Sequence, residues 1–211
     1  MEFTNSEGIK LVEQVILRIK ENRDYLSCVD GEAGDGDHGI NMSKGMTFAQ
    51  EEITNKNHVT MSEGFMTISK ILISKIGGSM GPLYGSFFRG LGIASKKEDI
   101  INKDVMSKML NKAYSNLTGL TDAKPGDKTL IDVLSPAIEA YDASEGDFKT
   151  ALEDMIAAGE AGLLSTKDMI AKIGRSSRLG ERSRGHQDAG ATSCYIILKA
   201  IADASIELLE N

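Results

Sequence analysis

Apolar residues in this chain return every three or four positions, and that spacing constrains the fold more than any other feature. Leu11, Val12, Val15, Ile16 and Ile19 make one stripe, with Thr4 and Glu7 at capping-box spacing ahead of it. Ile40, Met46, Ala49 and Ile53 predict a second helix. Thr60 and Glu63 repeat the capping box before a third, which carries Phe65, Ile68, Leu72 and Ile76. Pro82 suits the first turn of a fourth, through "PLYGSFFRGLGIAS". Val105 and Met109 mark a fifth. Thr129 to Tyr141 reads as a sixth, with Pro136 an expected kink or boundary. Asp147 is placed to cap a seventh through Leu152, Met155 and Leu163. The last runs from about Asp188 to Leu209 and absorbs "YIIL", the one stretch with strand character. The pattern predicts an all-α fold of about eight helices with no linker to divide it.

A chain of 211 residues suits one well-buried core, so residues 1–211 are expected to form a single domain. Aromatics at 5%, no Trp and 10 Met fit an aliphatic helical core better than a β-sandwich. A net charge of −7 argues against nucleic acid as the main partner, because backbone binding needs a cationic face. Cys28 and Cys194 have no metal or disulfide spacing and are expected to be buried thiols in a reducing compartment. The first residues lack the basic and apolar regions of a secretory signal, and no apolar run is long enough to span a membrane. The expected address is the cytoplasm.

Many of the 22 glycines are concentrated between the helices, in "GDGDHG", "GGSMGPLYG", "KPGDKT" and "GRSSRLGERSRGHQDAG". Each of these loops leads into a predicted helix, whose first N–H groups and positive dipole end favour anions. At alternate connections of an up-and-down bundle, all four lie at one end. That end is the candidate site.

"GDGDHG" satisfies the glycine pattern of dinucleotide-binding loops, but "ILRIKENRDYLSCVDGEA" before it reads as a helix and a turn rather than the strand that motif requires. A calcium loop starting at Asp35 would need Glu at its twelfth position, where Met46 stands. Asp and Gly are also common in solvated turns. Three aspartates at 30, 35 and 37, beside His38 and Asn41, point further. Clustered carboxylates repel one another unless a cation sits between them, and an all-oxygen set suits Mg2+ or Ca2+. Mg2+ in such a set completes its shell with waters and phosphate oxygens, so aspartates can attract phosphates through the metal.

"GDKT" resembles the end of a P-loop, but Asp127 separates Gly126 from Lys128 and the upstream glycine is missing. It reads equally as a turn with Asp127 or Thr129 capping the next helix. Arg175, Arg178, Arg182 and Arg184 form a basic run in an acidic protein and suit an anionic ligand or acidic partner. His58 falls on a solvated loop; His38 and His186 draw interest from the loops that hold them.

Taken together, "GDGDHGINMSKGM", "GGSMGPLYGSFF", "KPGDKTLIDVLSPA" and "STKDMIAKIGRSSRLGERSRGHQDAGATS" resemble the nucleotide-binding subunits of dihydroxyacetone kinases, the DhaL family, from Asp30 to the last helix. The resemblance implies an eight-helix up-and-down antiparallel barrel with the nucleotide, ADP or ATP, in the loops at one end. It implies that Asp30, Asp35 and Asp37 hold two Mg2+ ions on the nucleotide phosphates. His38, Gly39 and Asn41 would lie along the nucleotide, as would the turn Gly78, Ser79, Met80 and Gly81 and the segment Thr129 and Leu130. Arg178, Asp188 and Gly190 would close the site, with no catalytic residue distinct from this set. Two positions depart from the family pattern: the hydroxyl of Ser79 falls one residue early, with Met80 behind it, and Ala189 stands where many members have Pro.

The family's substrate is held by a His on a separate DhaK subunit, so the resemblance implies half of an enzyme, with a homodimer allowed. A standalone subunit resembles the phosphotransferase-dependent system, in which resident ADP is rephosphorylated by a phosphohistidine protein, DhaM, and the phosphoryl group passes to dihydroxyacetone. Two alternatives stay open at this point: an ATP-dependent kinase subunit with exchanging ATP, and a non-catalytic nucleotide-binding regulatory module.

Overall fold

A computed structural model of the chain describes residues 1–210. Its α-helices are α1 (Ile9–Glu21), α2 (Arg23–Ala33), α3 (His38–Thr54), α4 (Met61–Lys75), α5 (Met80–Ser95), α6 (Lys103–Thr118), α7 (Ile131–Ala143), α8 (Phe148–Ser165) and α9 (Ala189–Glu210). Eight of them close a ring: α1 packs on α3, each helix from α3 to α8 packs on the next, and α9 returns to α1. Apolar stripes turned to one axis make this closure favourable, because every helix then buries its face against two neighbours. Phe65, Phe88 and Tyr141 are fully buried inside, with the Phe65 and Phe88 ring centroids 6.0 Å apart.

The ninth helix, α2, is the element the periodicity did not resolve. It starts after a break at Asn22, buries only Leu26 and Val29, and rests on α3, α9 and the α8–α9 connection. Cys28 lies on its outer face and is exposed, contrary to the expectation of a buried thiol, whereas Cys194 is buried in α9. Pro136 neither ends nor starts a helix but sits within α7. It removes the N–H that would reach the Asp132 carbonyl, and that oxygen lies instead against Gly162 of α8.

Two short strands, β1 (Phe3–Thr4) and β2 (Ile100–Ile101), pair antiparallel beside the start of α1. At this closed end, side chains cap the helices that begin there. Thr60 and Glu63 form a reciprocal capping box on α4, Asn102 caps α6 and Asp147 caps α8. The Thr4–Glu7 box forms too, one turn ahead of α1. No helix among the described residues is long and apolar enough to cross a membrane.

Candidate functional site

The four glycine-bearing connections meet at the other end and line a cavity of about 700 Å3. Helices α3 and α5 begin in its wall, and neither carries a side-chain cap. Their first amide groups are thus left to other partners, in contrast to the capped helices opposite.

Asp30 projects from the last turn of α2, while Asp35 and Asp37 come from the loop that follows. Each places a carboxylate oxygen within 4.8 Å of the others. Asp30 also accepts from the His38 amide at 3.2 Å. Three negative groups this close repel one another, and the chain offsets part of that repulsion itself: the Arg175 guanidinium pairs with Asp35 and approaches Asp37 at 3.9 Å. The three carboxylates, an all-oxygen donor set, fit Mg2+ by charge and by ligand type, and Arg175 occupies the same oxygens that a metal would take.

His38 is 8% exposed; its Nε2 lies 2.8 Å from Ser193 Oγ, which is 2.5 Å from the Tyr84 hydroxyl. Tyr84 also donates to the Gly190 carbonyl at 2.8 Å. Burial pushes the His38 imidazole down to about 4, against the opposing charge of Asp30, so the ring is neutral near pH 7. Across the cavity, burial raises the Asp188 carboxyl to about 6, opposed by the Ala191 amide it accepts from and by Lys128. Asp188 thereby caps α9.

Of the residues expected at the site, Asp30, Asp35, Asp37, His38 and Asn41 line the cavity. So do Gly78, Ser79 and Met80, Thr129 and Leu130, and Asp188 and Gly190, with Gly190 lying against Leu130. Gly78 makes its turn at a φ of 71°, where a side chain would be strained. Gly39 and Gly81 stand behind the wall: a Cβ at Gly39 would collide with the backbone of α2, and one at Gly81 with the carbonyls of Leu72 and Ile76. They let the elements approach rather than face the cavity.

Arg178 is not among the lining residues; it is Arg175, one turn earlier, that faces the aspartates. Lys128 also lines the cavity, although the broken P-loop spacing gave it no role. The sequence carried no signal for it, because the burial of Lys128 is a tertiary fact.

A family model described as the DAK2 domain matches residues 32–203. The ADP-binding subunit DhaL of PEP-dependent dihydroxyacetone kinase 1 from Listeria innocua is 34% identical over 189 residues, covering 90% of this chain and 91% of that protein. The ADP-binding subunit DhaL of the PTS-dependent dihydroxyacetone kinase from Lactococcus lactis is 37% identical over 186 residues, covering 88% of this chain and 90% of that protein. Among solved structures, the native dihydroxyacetone kinase of C. freundii superposes with a TM-score of 0.68 at 25% identity. That match covers 95% of this chain and 35% of the kinase, so this chain spans about a third of its length. The C. freundii kinase in complex with AMP-PNP and Mg2+ gives a TM-score of 0.67 at 23% identity, a likeness of fold.

Proposed function

This chain belongs to the DAK2 domain family, and on that premise we propose that it is the ADP-binding subunit of a phosphoenolpyruvate-dependent dihydroxyacetone kinase. In this reading residues 1–211 form one nucleotide-binding unit. The resident Mg-nucleotide would take a phosphoryl group from a phosphohistidine protein of the DhaM type and give it up to dihydroxyacetone on a DhaK-type subunit. The setting is the cytoplasm, and a homodimer is compatible with it.

The observation that carries the reading is the aspartate cluster, set in the wall of a cavity large enough for a nucleotide and only partly offset by the one guanidinium beside it. Asp30, Asp35 and Asp37 would hold two Mg2+ ions. The turn from Gly78 to Met80, with the uncapped start of α5, would face phosphates, and Thr129, Leu130 and Gly190 would bound the rest of the nucleotide. When bound, the Mg-nucleotide would supply a phosphoryl acceptor in its diphosphate form and a donor in its triphosphate form, with its charge offset by the metal.

The protein's part is positioning and electrostatics, which dominate phosphoryl transfer. His38 is kept neutral by burial and held by Ser193, so it orients without adding charge. Arg175 can exchange its aspartate partners for phosphate oxygens, because an Arg fork suits either group. It thus offers a positive charge whether or not metal is bound.

The test is reconstitution. Freshly purified protein should carry stoichiometric ADP. Dihydroxyacetone phosphate should form from phosphoenolpyruvate when the phosphotransferase proteins and both partner subunits are supplied, and excess ATP without the donor should give little. Rapid turnover with ATP and the substrate subunit alone would replace the reading with an ATP-dependent one.

A further inference from the structure

The backbone at Lys128 has a φ of 62°, a region that a lysine rarely occupies. Asp132 holds the loop in that shape: one carboxylate oxygen accepts from the Gly126 amide at 2.5 Å and the other from the Thr129 amide at 2.7 Å. The turn sends the lysine side chain inward, where the residue is 1% exposed. Its Nζ donates to the carbonyls of Met169, Ser183 and His186 at 3.3, 2.5 and 2.7 Å. An ammonium has three donors, and all three are engaged. Lys128 therefore has no donor left for a phosphate, although it lies where a P-loop lysine would be sought.

Those three carbonyls belong to the two legs of the connection between α8 and α9. The legs also meet where the Gly185 amide donates to the Lys167 carbonyl at 2.8 Å and the Ala171 amide to Ser183 Oγ at 2.9 Å. The tip between them carries Arg175 to the aspartates, and the second leg runs directly into Asp188. We propose that Lys128 is a positioning residue: its buried ammonium staples the two legs together and so holds Arg175 and Asp188 against the cavity. A buried charge is tolerated only when its hydrogen bonds are made, and charge-assisted bonds are the strong ones. Removing the ammonium leaves three carbonyls unpaired in the same place, and the legs separate. The link to nucleotide binding rests on the function proposed above.

Two measurements separate the staple from that function. Hydrogen exchange of the protein without metal or nucleotide reads the staple itself. In Lys128→Met, residues 169–187 should exchange at least about ten-fold faster, with α4 to α6 unchanged. Unchanged exchange in that segment overturns the proposal. A double-mutant cycle with Arg175→Ala then reads Mg-ADP affinity. Lys128→Met should weaken binding about ten-fold, and Arg175→Ala should cost about ten-fold less in the Met background than in the wild type. A purely structural role would make the two losses additive, and additive losses overturn the link to Arg175. If the wild type binds no Mg-ADP, the functional reading fails and the exchange measurement alone upholds or overturns the staple. Should the Met variant not fold, Lys128→Gln keeps two donors without the charge. Partial acceleration of exchange then supports the staple, and wild-type protection overturns it.

Discussion

The two ends of the barrel are built from the same helices and finished in opposite ways. At the closed end, α4, α6 and α8 begin under side-chain caps, and the connections before them are short. Asn5 is buried there, and its side-chain amide nitrogen lies 2.8 Å from Ser62 Oγ and from the carbonyls of Ser95 and Glu98, sharing its two N–H groups among the three. At the open end, the Asp37 and Ser79 side chains leave α3 and α5 uncapped, seven turn residues including Gly36, Gly78 and Lys128 adopt positive φ in or near the loops, and carboxylates crowd together. The closed end uses its polar groups for capping helices; the open end uses Asp132, Lys128 and Asp188 for shaping its loops and turns the aspartate cluster to the cavity. Stability and function are thus separated along the barrel axis, and substitutions at each end should affect one and spare the other.

The largest test of that separation is Asp35→Asn. Losing one charge from the cluster should weaken Mg-nucleotide binding by at least about 100-fold, the upper end of what outer-sphere partners cost. Stability of the ligand-free chain should stay within about 0.5 kcal/mol, because Asp35 is exposed. Calorimetric titration beside a urea melt measures both, and wild-type affinity would remove Asp35 from the metal set.

Ligand should restore to the open end the stability it lacks alone. With Mg2+ and ADP at about 100 times Kd, the native state gains about 2.7 kcal/mol over the same protein in EDTA. For a chain this size that is a rise in Tm of about 5 to 10 °C. Coincident melts would mean that the cavity takes no nucleotide.

At the closed end, Asn5→Ala should cost about 1 to 3 kcal/mol by leaving its buried partners unpaired. ADP affinity should not move. A parallel loss of affinity would show that the two ends are coupled through the core. Smallest of all, Thr60→Ala should cost about 1 kcal/mol through the lost cap, again with nucleotide binding unchanged. Chemical denaturation of the two variants side by side gives their order.

Much of this contrast was legible in the chain. The Thr60–Glu63 box, the Asp147 cap, the α1 stripe and Pro82 in the first turn of α5 are local patterns, and local patterns survive folding. The aspartates were legible as a cluster because positions 30, 35 and 37 lie close along the chain, and the fold brings their carboxylate oxygens within 4.8 Å of one another. Helix α2 was not legible: with only Leu26 and Val29 buried, it has no stripe to betray it, and its packing on α3 and α9 holds it in shape. The two-residue pairing of β1 with β2 joins positions far apart in sequence and leaves no local trace.

Sequence alone determined the helical class, the placement of the glycine loops at alternate connections and the carboxylate set, because each depends on residues close together along the chain. Tertiary structure alone decided that Arg175 rather than Arg178 faces the aspartates. It also decided that Gly39 and Gly81 serve close packing, and that Lys128 turns inward to three carbonyls 41 to 58 residues away. Which member of a basic run reaches a cavity depends on where the loop's two legs are pinned. That pinning is made by contacts that exist only once α6, α8 and α9 have closed the ring.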